Sequence, residues 1–373
     1  MTDKKRFRVF ATCDIGKEAL DILRRRGYEL EVYPRPEPPP KKLIIEKLKS
    51  GVDGLITTLR DPIDAEIFEA GKGTLKGVAQ LAVGFDNINR ADANRFKIPF
   101  TNTADVLTEA TAEFAFFILC ATARKLWPAE HLLRDNKWDT WHPFLPFLGD
   151  EVTGKTLAVI GTGRIGLALI KKAVGLDMDI LCYDAAYQNE RYIANIQTLM
   201  DQRYSTGICK DRHTIRYVGF EDALRQADFV SIHVPLIRPG EAATPTYHLF
   251  DEKTFRLMRS SAYLVNTSRG PVVDEKALYR AMKERWIAGA AIDVYEKEPL
   301  PADSPLRDPE IADRLRLFPH FASAAAITRL SPDPDKGMAG RCVQGLIDML
   351  EGNYDGDITR MPYVVNKEAF KSK

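Results

Sequence analysis

From residue 7 to about 104 the chain alternates short β-rich apolar runs with stretches whose apolar positions recur at helical spacing. In order these read FRVFATC, KEALDILRRRG, YELEVYP, LIIEKLKSG, DGLITT, DAEIFEAG and LKGVAQLAVG. Such alternation predicts parallel strands joined by crossover helices. The proline-rich PRPEPPPKK at 34–42 interrupts the series and reads as a surface loop. A long helical pattern follows, TEATAEFAFFILCATARKLWPAEHLL, and then a Trp-rich loop, KWDTWHPFLPFLGD. A second α/β series opens at KTLAVIG, with strands read at TLAVI, ILCYD, FVSIHV, AYLVNTS, AGAAIDV and RLRLFPH; the last fifty residues look helical and lie beyond it.

The pattern predicts an α/β protein of two Rossmann- or flavodoxin-like lobes, each with a parallel sheet, the first completed by the C-terminus. Residues 1–104 with 327–373 form one lobe in this reading, and 105–326 the other, with a cleft between them of the kind that holds small molecules. At 373 residues the chain is too long for one ordinary core, which agrees with two lobes. A net charge of +1 at 28% charged residues gives no bulk attraction to nucleic acid or an anionic membrane. The longest apolar run, FAFFILCATA at 114–123, is well short of the roughly 20 residues that span a bilayer. MTDKKRFRVF runs from a charged start directly into a strand-like segment, without a signal peptide's apolar core. Five scattered cysteines with no C-x-x-C spacing disfavour a disulfide framework or structural zinc and suit a reducing cytoplasm.

The first chemistry appears where the strand TLAVI meets Gly161, Gly163 and Gly166 in G-x-G-x-x-G spacing, followed at once by the helical LALIKKAVG. The glycines alone are a weak signal. With a strand before and a helix after, they offer a tight turn, close backbone approach and a helix N-terminus aimed at a pyrophosphate. The next strand ends at Asp184, eighteen residues past the third glycine, where a carboxylate accepts from adenine-ribose hydroxyls and repels a 2′-phosphate. NAD is therefore expected, with NADH preferred over NADPH, although Arg191 is close enough to serve a phosphate instead.

Arg269 in VNTSRGPVVDE, Glu298 in AIDVYEKEP and His320 in RLFPHFASA each follow a predicted strand, at the edge where a parallel sheet presents its ligands. Reducing a ketone at C2 of a keto acid needs a cation for the carboxylate and carbonyl, and an acid for the oxygen. Arginine's forked donors suit the first task and histidine the second, with a carboxylate to orient the ring and favour its protonated form. Singly, the three could be a surface ion-pair partner, a solvated charge and a satisfied buried histidine. His233 reads as structural, and His131, His142, His213 and His248 lack a metal-ligand pattern, so no metal is expected.

The segments AVGFDNI (82–88), TNTADVLTEATAEF (101–114), GTGRIG (161–166), SIHVPL (231–236), NTSRGPVVDE (266–275), AIDVYEKEP (291–299) and PHFASA (319–324) together resemble the D-isomer-specific 2-hydroxyacid dehydrogenase family. The resemblance implies that Arg269, Glu298 and His320 are its catalytic arginine, glutamate and histidine. It also implies cofactor contacts at Arg164, Ile165, Val234, Pro235, Thr267 and Asp293, with Thr111 near the carboxamide. The backbone amides of Val83 and Gly84 would hold the substrate carboxylate. YDAAYQNERY, AVGFDN and KWDTWHP are similar to segments of hydroxypyruvate and glyoxylate reductases, which implies a small 2-keto or 2-hydroxy acid substrate. In that branch Trp141 is a candidate wall of the neighbouring subunit's pocket in a homodimer, or a residue that only packs the dimer contact.

Some features depart from the pattern. PHFASA replaces the commoner PHIGSA and brings in Phe321, and the inserts at about 190–215 and 238–245 have no assigned purpose. Formate dehydrogenases carry glutamine at the position of Glu298, and the regulatory C-terminal domains of phosphoglycerate dehydrogenases have no counterpart here. A D-lactate or phosphoglycerate dehydrogenase-like enzyme of the family, and an NAD-binding corepressor-type module, stay open as alternatives.

Overall fold

The computed structural model describes residues 6–145 and 147–371; the charged start at 1–5, Pro146 of the Trp-rich loop and residues 372–373 lie outside the described residues. The chain divides into two compact units, one built from residues up to Leu107 and from Ala324 onward, the other from Thr108–Ser323.

In the first unit five parallel strands, β1 (Arg8–Ala11), β2 (Glu29–Val32), β3 (Gly54–Thr57), β4 (Gly77–Gln80) and β5 (Phe100–Thr101), lie in the order β2-β1-β3-β4-β5. That is the flavodoxin-like order. All residues of β3 and β4 are buried, as expected for parallel strands covered on both faces. One face packs on α1 (Lys17–Arg25) and the C-terminal helix Met338–Glu351, the other on α2 (Lys41–Lys49), α3 (Ala65–Ala70) and α4 (Arg90–Phe96). Asp64 and Asn89 start α3 and α4 by accepting from the Glu66 and Asp92 amides. The proline-rich stretch runs as irregular chain to Pro40, and α2 begins at Lys41.

The second unit opens with α5 (Thr108–Ala123) and α6 (Leu126–Arg134), then continues β6 (Thr156–Ile160), α7 (Arg164–Ala173), β7 (Asp179–Tyr183), α8 (Glu190–Ser205), β8 (Ile215–Tyr217), α9 (Phe220–Gln226) and β9 (Phe229–Ile232). After these come α10 (Glu252–Phe255), β10 (Tyr263–Asn266), α11 (Glu275–Lys283), β11 (Gly289–Ile292) and β12 (Leu315–Leu317). The parallel order β12-β11-β10-β9-β6-β7-β8 reverses direction between β6 and β9. Ligands of open α/β sheets bind outside the carboxyl ends of strands at such a reversal. The sequence predicts six strands here and the structure has a seventh, β8. Its three residues, one of them exposed, carry too little alternation to be read alone, and the strand is defined by its pairing with β7. The insert before it is largely α8. No helix among the described residues is long and apolar enough to cross a membrane.

Candidate active site

The glycine loop lies directly between β6 and α7. Gly161 has φ +100°, and a Cβ there would stand 2.7 Å from the His233 carbonyl carbon; a Cβ on Gly166 would stand 2.1 Å from the Gly161 oxygen. The first glycine therefore permits the turn against the end of β9, and the third lets α7 approach β6. Gly163 is the N-cap of α7 and a Cβ there meets nothing within 4 Å, which leaves open space before the helix N-terminus. Thr267 Oγ1, past the end of β10, is buried with no hydrogen-bond partner among the described residues. An open, amide-lined helix start and a buried hydroxyl in need of a partner fit a dinucleotide. Asp184 accepts from Thr162 N at 2.8 Å through Oδ2, and from Ala186 N and Tyr187 N at 2.9 and 3.1 Å through Oδ1. Arg164 and Ile165 sit in the first turn of α7, and Thr111 is buried near the start of α5.

Arg269, Glu298 and His320 emerge from the carboxyl ends of the adjacent strands β10, β11 and β12, on loops that brace one another. Buried Asn266 shapes the first loop, donating to the Arg269 carbonyl at 3.0 Å and accepting from Ser268 N at 3.0 Å; Arg269 Nη1 donates to Ser268 O at 2.8 Å. A Cβ on Gly270 would fall 1.9 Å from the Tyr295 carbonyl, so only glycine lets the arginine loop rest on the chain leading to Glu298. Tyr295 N donates to Glu298 Oε1 at 3.1 Å, and Tyr295 Oη donates to Phe318 O at 2.8 Å, joining the second loop to the third. Glu298 Oε2 stands 2.8 Å from His320 Nδ1, with 26% and 29% of the two side chains exposed. The pair is shielded yet reachable from solvent.

His320 has φ +53°, a left-handed conformation that histidine adopts more readily than most residues. Asp293 holds it there. Its carbonyl accepts from His320 N at 2.8 Å, Oδ1 from Phe321 N at 2.6 Å and Oδ2 from Ala322 N at 2.8 Å. Burial pushes the Asp293 carboxyl upward, against the opposing pull of the Phe321 and Ala322 amides. The motif reading makes Asp293 a cofactor contact; the structure places both carboxylate oxygens on the histidine loop. Phe321, 48% exposed, packs at a tilt of 58° against Phe114 of α5, 5.8 Å between ring centroids.

Val234 and Pro235 follow β9 beside Gly161. Thr246 Oγ1 donates to the Pro235 carbonyl at 2.6 Å and accepts from Ile237 N at 2.8 Å, so the insert at 238–245 returns to be pinned on this segment. His233 follows β9 directly, with Nε2 2.8 Å from Ser231 Oγ, and burial pushes its imidazole down to about 3. Its ring thus belongs to the strand end, away from the glutamate-paired histidine's loop.

In the first unit, the loop after β4 carries Val83 and Gly84. Asn102 Nδ2 donates to Val83 O at 2.8 Å, and Gln80 Nε2 reaches Gly84 O at 3.4 Å and Asn87 Oδ1 at 2.6 Å. Asn87 Nδ2 donates onward to the Thr58 and Asp61 carbonyls at 3.0 and 2.8 Å. In a trans peptide the N–H points opposite to the C=O, so holding the Val83 carbonyl turns the Gly84 N–H the other way. Neither the Val83 nor the Gly84 amide has an acceptor among the described residues. Asn102, Gln80, Asn87, Gly270 and Tyr295 are not read as site residues from the sequence; all but Gln80 fall inside matched segments, and only their tertiary pairing and packing reveal their use. Trp141 is 74% exposed in a run of exposed apolar side chains that includes Leu133, Trp138, Phe144 and Leu148.

A family model described as the NAD-binding domain of D-isomer specific 2-hydroxyacid dehydrogenases matches residues 116–322. The chain is 42% identical to a glyoxylate reductase of Korarchaeum cryptofilum over 365 residues, covering 98% of this chain and 97% of that one. It is 37% identical to a glyoxylate reductase of Thermococcus litoralis, covering 98% of each. Among solved structures, a Thermus thermophilus protein superposes with a TM-score of 0.79 at 33% identity, over 96% of this chain and all of that one.

Proposed function

The chain belongs to the D-isomer specific 2-hydroxyacid dehydrogenase family, and on that premise we propose that it uses NADH to reduce a small 2-keto acid, glyoxylate or hydroxypyruvate, at C2, with His320 as proton donor. Hydroxypyruvate would give D-glycerate and glyoxylate the achiral glycolate. The observation that carries this reading is the imidazole held by a carboxylate at 2.8 Å at the carboxyl edge of the sheet, next to the arginine loop. The relatives named glyoxylate reductase support the substrate class.

When bound, the nicotinamide supplies a hydride to C2. The chain's own residues do the rest. Arg269 pairs its guanidinium with the substrate carboxylate and polarises the carbonyl. Glu298 accepts from His320 Nδ1–H, which leaves Nε2 to give its proton to the carbonyl oxygen as C2 is reduced and to take it back in oxidation. The Val83 and Gly84 amides, without acceptors among the described residues, are donors for the carboxylate in the first unit, the substrate-binding domain of this reading. The second unit is its dinucleotide-binding domain. Thr267, Thr111, Val234, Pro235, Arg164 and Ile165 border the cofactor, and Gly161, Gly163 and Gly166 make room for its pyrophosphate.

Asp184, fixed by three backbone amides, supports NADH over NADPH, because its charge opposes a 2′-phosphate. The exposed apolar run around Trp141 supports a homodimer in which Trp141 walls the partner's pocket. Five free cysteines fit the cytoplasm. Initial rates with NADH and NADPH across glyoxylate, hydroxypyruvate, pyruvate and bulkier 2-keto acids test the proposal. Glyoxylate or hydroxypyruvate with NADH is expected to exceed pyruvate in kcat/KM by about tenfold or more, and D-glycerate is the expected chiral product. A bulkier acid as best substrate, or L-glycerate, would overturn it.

A further inference from the structure

Tyr217 closes β8, the edge strand to which the 190–215 insert delivers the chain, and β8 pairs Tyr217 with Cys182, two residues before Asp184. Its hydroxyl accepts from Asn189 N at 2.8 Å and stands 2.9 Å from Thr162 Oγ1. Thr162, in the glycine loop, reaches Asp184 Oδ2 through its amide at 2.8 Å and its hydroxyl at 3.4 Å. Either hydroxyl of the Tyr217–Thr162 pair can donate; with the single Thr162 hydrogen on Asp184, which as a carboxylate only accepts, Tyr217 donates to Thr162. Every donor then points the same way, from the Asn189 amide through Tyr217 and Thr162 to the carboxylate, an arrangement in which each bond strengthens the next. Asn189 also caps α8 by accepting from Tyr192 N at 3.1 Å. One phenol thereby ties together the glycine loop, the turn at 185–189 and the start of α8. Burial pushes the Tyr217 hydroxyl upward, which keeps its hydrogen in place.

We propose that Tyr217 is a positioning residue for cofactor choice: by locking Thr162 and the 185–189 turn around Asp184, it presents that carboxylate in one fixed place, favourable to ribose hydroxyls and obstructive to a 2′-phosphate. The inference rests on the NADH reading. It gives the insert a purpose, since α8 and the loop after it carry the chain to the strand that bears Tyr217. Without the hydroxyl, the turn loses its anchor at Asn189 and Asp184 its outer support.

The test is fluorescence titration of NADH and NADPH against wild type, Tyr217→Phe, Thr162→Val and the double variant, with melting temperatures and glyoxylate turnover alongside. Tyr217→Phe is expected to raise the Kd for NADH about five- to tenfold and that for NADPH less than about twofold, with kcat at saturating NADH within about twofold of wild type. Thr162→Val, close to isosteric, should give a similar loss, and the double variant no more than either alone, because both cut one relay. Wild-type Kd values in Tyr217→Phe, equal weakening of both cofactors, or additive losses would overturn the role. If the wild type binds NADPH as tightly as NADH, the NADH reading fails. The relay is then judged by coupling on NADH affinity alone: non-additive losses uphold it, and additive or absent losses refute it.

Discussion

Replacing Asp293 by Asn changes one atom of a fully buried residue and leaves its volume almost unchanged. In the wild type two carboxylate oxygens accept from the Phe321 and Ala322 amides at 2.6 and 2.8 Å, while the carbonyl accepts from His320 N. Asparagine offers one oxygen and one NH₂ group, so one loop amide faces a donor. A lost charge-assisted bond is worth about 1.5–3 kcal/mol and the stranded buried amide adds about 1–3 kcal/mol, so local destabilisation of about 2–4 kcal/mol is expected after partial relaxation. The loop escapes part of that by turning away from β11, which carries His320 out of its left-handed conformation and off Glu298. A displacement on the scale of 1 Å can cost roughly a hundredfold in rate. Asp293→Asn is thus expected to lower kcat for glyoxylate reduction about a hundredfold and to reduce thermal stability, while the Kd for NADH changes less than about threefold. The assay is steady-state kinetics with a melting curve and an NADH titration on the same sample. A variant with wild-type kcat and melting temperature would refute the bracing role, and one whose loss lies entirely in NADH affinity would make Asp293 a cofactor contact instead.

Burial holds His233 at about 3 against an ordinary value of 6.5, so the unfolded chain binds a proton below pH 6.5 that the folded chain refuses. Stability is therefore complete above pH 6.5 and falls toward pH 3, by about 2 kcal/mol from this residue at pH 5. Unfolding free energies from urea titrations at pH 7.5 and 5 should differ less in His233→Asn than in wild type by that amount, and equal differences would refute it. Gly270→Ala drives a methyl into the Tyr295 carbonyl; it is expected to cost about 1–3 kcal/mol of stability and most of the activity. Gly163→Ala, whose Cβ meets nothing, should keep the wild-type melting temperature and weaken NADH binding, and unchanged NADH affinity would remove Gly163 from the cofactor site.

Both parallel sheets and the strand ends that carry Arg269, Glu298 and His320 were legible in the sequence, because parallel strands buried on both faces leave apolar runs and their ends fall at fixed distances from turn residues. The edge strands β5 and β8 were not, since two or three residues at a sheet edge need β4 or β7 beside them to be a strand. What holds the catalytic loops in place was also hidden. Asp293 meets Phe321 and Ala322 across 28 and 29 residues, Asn102 meets Val83 across 19, and Tyr217 meets Thr162 across 55. No local period or spacing encodes such pairings; they arise only when the tertiary fold buries polar groups that must find partners.

The most direct measurement sets glyoxylate-dependent NADH oxidation by His320→Ala beside the affinity of the same variant for NADH. Loss of the proton donor should lower kcat about a thousandfold while the Kd for NADH stays within about twofold. Turnover near the wild-type rate would contradict His320 as the proton donor.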